Sequence, residues 1–240
     1  VGDTDSFGYL ITASKAKTDL TINPTANPVH VGEKSVYVYS GAPQSLGGKI
    51  VNKSDIVMDK NNGYGIYSSQ DAENYGNIDL RAGVGNIGVY STQGNSKNFG
   101  VITVGPSNVT SKQYGIGMAT GYYNETTKVA TNEGTIDFTS AKKSIGAYVE
   151  DATLINTGKM LVGEEGVGIF SKNSDVTSSG DVTLTKKAIA FNLDGTFTGR
   201  TLNFTSKITL TDDDNTIFNF KNATFDTTGL TGFTDNLNIV

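Results

Sequence analysis

Gly65-Ile66-Tyr67-Ser68 then Asn74-Tyr75-Gly76-Asn77-Ile78-Asp79-Leu80, followed by Gly88-Val89-Tyr90-Ser91 then Asn98-Phe99-Gly100-Val101-Ile102-Thr103-Val104, is one phrase stated twice. The short glycine-apolar-aromatic member returns as Gly146-Ala147-Tyr148 and Gly168-Ile169-Phe170. The longer member returns as Asn132-Glu133-Gly134-Thr135-Ile136-Asp137-Phe138 and Asn156-Thr157-Gly158-Lys159-Met160-Leu161-Val162. A fixed repeat in this length range marks a solenoid. Solenoids act through long exposed faces more often than through one enclosed pocket.

Two glycine columns set the unit. The first runs through Gly65, Gly88, Gly117, Gly146 and Gly168, and the second through Gly76, Gly100, Gly134, Gly158, Gly180 and Gly199. Degenerate copies extend both ways: Val36-Tyr37-Val38-Tyr39 and Asn52-Lys53-Ser54-Asp55-Ile56-Val57-Met58 before them, Ala188-Ile189-Ala190-Phe191 and Phe197 to Phe204 after. Within the longer member, apolar and polar residues alternate with period two (Ile78/Leu80 against Asn77/Asp79), which reads as a half-buried strand. One such strand buries too little to fold alone, so the units must stack on one another.

The reading is therefore an all-β parallel β-helix, taken as right-handed, of about eight or nine coils and roughly 40 Å long. It covers residues 1–240 as a single segment, with 1–35 and 205–240 as boundary coils. Both glycine columns are expected at turns, where positive φ or close packing favours glycine. The asparagines at 52, 74, 98, 132 and 156 are expected to stack their amides into a ladder.

Composition narrows the function. A net charge of -5 with no Lys/Arg stripe argues against nucleic acid. Absence of cysteine excludes disulfides and thiolate metal sites, and no apolar run is long enough to span a membrane as a helix. The chain begins at Val1 without an initiator methionine, as an excised or processed piece would. The lone His30 cannot build a metal site, and no cofactor is expected. Asp212-Asp213-Asp214, the pair Asp3 and Asp5, and Glu164-Glu165 read as solvated turns. Asp79 and Asp137, two coils apart across Thr103, stand roughly 9.6 Å apart by coil spacing, near the range of an inverting carboxylate pair. With arginine only at 81 and 200, a catalytic centre is not expected.

Recognition features lie in two stretched units, near 105–113 and 121–128. Inserted loops of repeat proteins are often the binding face. The second insert carries Tyr122-Tyr123-Asn124-Glu125, and these four residues are the candidate binding site. An aromatic column at Tyr39, Tyr67, Tyr90, Tyr148, Phe170 and Phe191 would lie outside under strict alternation; stacking within the core is the expected alternative.

The composite unit over residues 36–204 resembles the passenger regions of type V autotransporters, in particular the long fusobacterial outer-membrane adhesins. That resemblance implies a non-enzymatic passenger or stalk displayed at the cell surface. Its partner would be a host-cell or bacterial surface protein or glycan, bound through loops or a flat face. Residues 1–240 themselves contain no translocator-like series of amphipathic strands. A polysaccharide lyase or hydrolase and a pure spacer are the other readings. Open solenoid ends also favour end-to-end self-association.

Overall fold

The structure, a computed structural model, describes residues 1–12, 16–121 and 128–225 and the backbone of Asn238–Ile239. Its strands form three parallel sheets, here A, B and C, of nine, eight and nine strands. Sheet A stacks Phe7–Ile11, Val36–Ser40, Tyr64–Ser68, Ile87–Ser91, Ile116–Thr120, Ile145–Glu150, Val167–Lys172, Ile189–Thr196 and Thr216–Thr224. Sheet B stacks Leu20–Ile22, Lys49–Asn52, Asp71–Asn74, Ser96–Asn98, Val129–Asn132, Thr153–Asn156, Asp175–Ser178 and Leu202–Phe204. Sheet C stacks Val29–Val31, Ile56–Met58, Ile78–Asp79, Val101–Thr103, Thr135–Asp137, Lys159–Val162, Val182–Leu184, Lys207–Leu210 and Asn238–Ile239. The chain visits A, B and C in turn and repeats, which makes a parallel β-helix of about eight turns. The only helical element among the described residues is the short 3₁₀ turn Gln44–Leu46.

The unit thus has three strands where two were expected. The short sheet B strand was hidden because its inward column mixes Ile50, Ala72, Ser96, Ala130, Leu154 and Val176, too varied to read as apolar alternation. Its closing asparagines were visible, and they do form the expected ladder. The Asn52 Nδ2 donates to Asn74 Oδ1 at 2.8 Å, Asn74 to Asn98 at 2.9 Å, Asn98 to Asn132 at 2.9 Å and Asn132 to Asn156 at 2.8 Å. Asn156 passes the chain to the Ser178 hydroxyl, which meets that of Ser206. Each of the asparagines from 52 to 132 also donates to the carbonyl two residues on, closing its own corner. All five amides are fully buried, where an unpaired group would cost about 1–3 kcal/mol.

The glycines are required by contact between coils. A Cβ on Gly100 would stand 2.1 Å from the Gly76 carbonyl oxygen, and one on Gly134 2.1 Å from that of Gly100. Neither glycine column has positive φ until Gly199, at φ 70 with nothing within 4 Å of its Cβ. Gly199 is therefore not a member of the second column: the strand that follows it, Leu202–Phe204, pairs with Val176–Ser178 in sheet B. The position homologous to Gly180 is Ser206, just before the sheet C strand Lys207–Leu210. The same local loss of phrase misplaces Phe191, which pairs with Ile169 and is fully buried, while Phe170 pairs with Asn192.

The core runs down the axis as stacked columns: Val38, Ile66, Val89, Met118, Ala147 and Ile169 from sheet A meet Ile56, Ile78, Ile102, Ile136 and Met160 from sheet C, all essentially buried. Asn98→Ala leaves the Asn74 and Asn132 amides short of partners and is expected to lower unfolding free energy by about 2–4 kcal/mol. Gly100→Ala should cost as much or more through backbone overlap. Gly199→Ala should cost only about 1–2 kcal/mol, the left-handed φ alone. Urea unfolding of the three variants checks the order, and a Gly199 variant less stable than both others would contradict it.

Candidate functional site

The outer face of sheet A owes its character to the first glycine column. A Cβ on Gly65 would point at the core, 3.3 Å from Cδ1 of Ile78 and 2.5 Å from the Gly88 carbonyl. Two successive residues, Gly65 and Ile66, therefore face inward, and the flanking Tyr64 and Tyr67 are both only half-buried. Two ranks of side chains result. One holds Tyr64, Ile87, Ile116 and Ile145; the other holds Tyr39, Tyr67, Tyr90, Ala119, Tyr148 and Phe170 in strict register.

The second rank is the aromatic column, and it stands on the outer face with its rings packed against each other. Tyr39 stacks on Tyr67 at 5.3 Å and 16°, Tyr67 meets Tyr90 edge-on at 5.1 Å, and Tyr148 stacks on Phe170 at 5.4 Å and 23°. Between Tyr90 and Tyr148 the register position is Ala119, and the column loses its ring for one coil. A groove of about 790 Å³ opens there. Ile87, Ile116, Ala119 and Ile145 line it, with Tyr64, Tyr90, Tyr148 and Phe170 around them. Lys221 stands at one end.

The first inserted loop forms another wall. Asn108 and Gln113 exchange backbone hydrogen bonds of 2.7 and 3.0 Å, making a small hairpin that turns through Lys112 at φ 56. The Ser107 hydroxyl accepts from Gly115 N at 2.9 Å and meets Ser144 Oγ at 3.3 Å, tying the loop base to the next coil. Lys112 and the exposed Tyr114 are thereby held over the groove. The expected insert at 105–113 is thus an ordered structural wall. Tyr122, Tyr123, Asn124 and Glu125 of the second insert lie outside the described residues.

Electrostatics keep the groove neutral on its floor. Burial pushes the Tyr64 hydroxyl above its ordinary value. Burial, with a 2.7 Å hydrogen bond to Glu150, raises that of Tyr148 far more, so it stays un-ionised at physiological pH. Burial alone would raise Glu150, but the Lys172 ammonium and the Tyr148 hydroxyl outweigh it and hold the carboxyl below the usual range. Among the described lining residues only Lys112 and Lys221 are charged. Lys221 has a loose ion pair with Asp194 at 3.9 Å.

Elsewhere the chemistry-bearing residues serve the scaffold. Asp79 and Asp137 do flank Thr103 in register on sheet C. Asp79 is held by two contacts from Arg81, at 2.9 and 2.6 Å, and the Arg81 hydrogen bonds lower its pKa despite partial burial. Asp137 accepts from the Thr139 amide and hydroxyl, each at 2.9 Å. His30 sits beside Asp59 at 2.9 Å on an exposed face. Asp212 accepts from the Asp214 amide, as a solvated turn does. Among the described residues no three His, Cys, Asp or Glu side chains converge as a metal site requires, and no helix is long and apolar enough to cross a membrane.

Three parallel sheets wound into a continuous coil, with a groove on one flat face, define a pectate lyase-like β-helix domain. The family model of the BigA third pectate lyase-like domain matches residues 6–160, well over half of the chain, and the chain belongs to that family. No curated protein and no solved structure matches it.

Because the Glu150 carboxyl is stabilised as the anion, its contribution is present above the ordinary carboxylate value of 4.5 and is lost as pH falls through its lower folded value. Glu150→Gln is expected to cost about 0.5–1 kcal/mol at pH 7, since the Lys172 partner is well exposed. That difference should vanish near pH 2. Thermal melts across the pH range test it, and a cost that persists in acid would contradict the assignment.

Proposed function

We propose that the chain is a surface-displayed β-helix passenger of autotransporter type that attaches to other cells through the aromatic groove on sheet A. It works by binding rather than catalysis. The observation carrying this reading is the single missing ring at Ala119, which converts a self-packed aromatic column into an open, apolar groove beside an ordered inserted hairpin. Rigid tyrosines around an apolar floor are the usual anchors of recognition surfaces. The family supports surface display, BigA being a bacterial autotransporter-like surface protein. The repeat's resemblance to fusobacterial passengers points the same way.

A second reading, a polysaccharide-active domain, draws on the family's pectate lyase-like name and on Asp79 and Asp137 sharing one face of sheet C, with Arg81 bonded to Asp79 from the turn that follows. Both carboxylates are spent on local contacts, which favours the adhesion reading. Incubation with polygalacturonate, followed both for unsaturated product by ultraviolet absorbance and for new reducing ends, separates the two.

The direct test is binding of the labelled chain to bacterial and mammalian cells, alongside Tyr114→Ala. Tyr114 is an exposed rim residue whose loss should leave the fold intact. Attachment should fall by about tenfold or more. Attachment unchanged by Tyr114→Ala would remove the groove from the account, and no attachment by either would make the segment a stalk.

A further inference from the structure

We propose that the partner of the sheet A groove is a protein segment that inserts a bulky aromatic side chain over Ala119 and carries acidic residues on either side. This deepens the adhesion reading and rests on it. Two observations choose a protein anchor over a sugar. The floor is aliphatic, from Ile87, Ile116, Ala119 and Ile145, and the nearest amides among the described residues, Asn62 and Gln113, border the adjoining cavity beside Tyr64 and Tyr114 rather than this floor. Among the tyrosine hydroxyls around it, that of Tyr148 is already donated to Glu150. Buried polar groups of a sugar would go unpaired against such a surface, whereas an apolar side chain loses nothing.

Size and charge complete the description. Ala119 occupies a register position that holds a tyrosine one coil before and one coil after it. What the column lacks at this coil is one aromatic ring; Ala119 itself is buried, so an aromatic anchor would restore the column's packing in trans by seating against the rings that surround it. The chain carries a net charge of -5, yet the charged groups lining the groove are two lysines, Lys112 on the hairpin and Lys221 at the far end, the latter loosely paired with Asp194 at 3.9 Å. Lysines at the rim favour carboxylates flanking the anchor and steer their approach.

Fluorescence anisotropy with a labelled pentapeptide, a central tryptophan between paired glutamates, tests the inference on the purified chain. Saturable binding is expected. It should weaken at least about tenfold when the tryptophan is replaced by alanine, and as much in Ala119→Phe, which fills the space internally. Lys112→Glu, on the exposed hairpin, should weaken it about fivefold and reduces dependence on Ala119→Phe folding normally. No saturable binding by the unsubstituted chain, or equal binding of lysine- and glutamate-flanked peptides, overturns the inference. So does binding of a neutral or uronate oligosaccharide that Ala119→Phe abolishes while the peptide is ignored. Peptide failure alongside Tyr114-dependent cell attachment sinks this inference alone; loss of all cell attachment sinks the adhesion reading itself.

Discussion

The close approach of successive coils at the asparagine corner governs this molecule. At Gly76, Gly100, Gly134 and Gly158 the backbone of one coil lies so near the carbonyl of the last that no Cβ fits. The asparagine two residues earlier uses one amide hydrogen on its own corner and the other on the next coil's asparagine. Both devices act between equivalent positions, so they fix register as well as spacing. A slip of one residue would bring a side chain onto a carbonyl and orphan a buried amide at the same time. Strict register then makes every position a column, and a residue's meaning depends on the residues above and below it.

The groove follows from that rule. An aromatic column packs against itself and presents little free surface, as the stacked Tyr39 and Tyr67 do. Replacing one member by alanine opens a groove with rings around it and needs no new backbone geometry. The surrounding frame is stiff because Ile87, Ile116 and Ile145 sit in continuous parallel pairing. A stiff floor loses little conformational entropy on binding, which favours recognition by a few well-placed rings. Ion pairs between coils, such as Lys49 with Glu73 at 2.6 Å and Lys142 with Glu164 at 2.6 Å, are exposed and add little beside the buried ladder.

Most of the fold was legible because stacking repeats itself in the sequence. The asparagine ladder could be read from five asparagines recurring at one position, four of them two residues before a glycine and Asn52 two residues before Ser54, and the sheet C alternation from pairs such as Ile78/Leu80. Sheet B was not legible: its inward positions range from Leu154 to Ser96, too varied to read as apolar alternation. Near the end of the array serine replaces asparagine at 178 and glycine at 206, so the phrase disappears and Gly199 and Phe191 attract a false alignment. The groove could have been found from the sequence: Gly117-Met118-Ala119 fits the first column with alanine where its neighbours have tyrosine. What the sequence did not show was that glycine breaks the alternation and turns both Tyr64 and Tyr67 outward. That depends on contact with the core at Ile78 and with the Gly88 carbonyl, a property of the folded coil alone.

Photo-crosslinking at the cell surface shows whether sheet A is the adhesive face. A benzophenone amino acid placed at Tyr114, on the groove rim, is compared with one at Thr103, on the outer face of sheet C. A discrete crosslinked surface protein is expected from position 114 and none from position 103. A crosslink from position 103 with none from 114 would place recognition on the opposite face and contradict it.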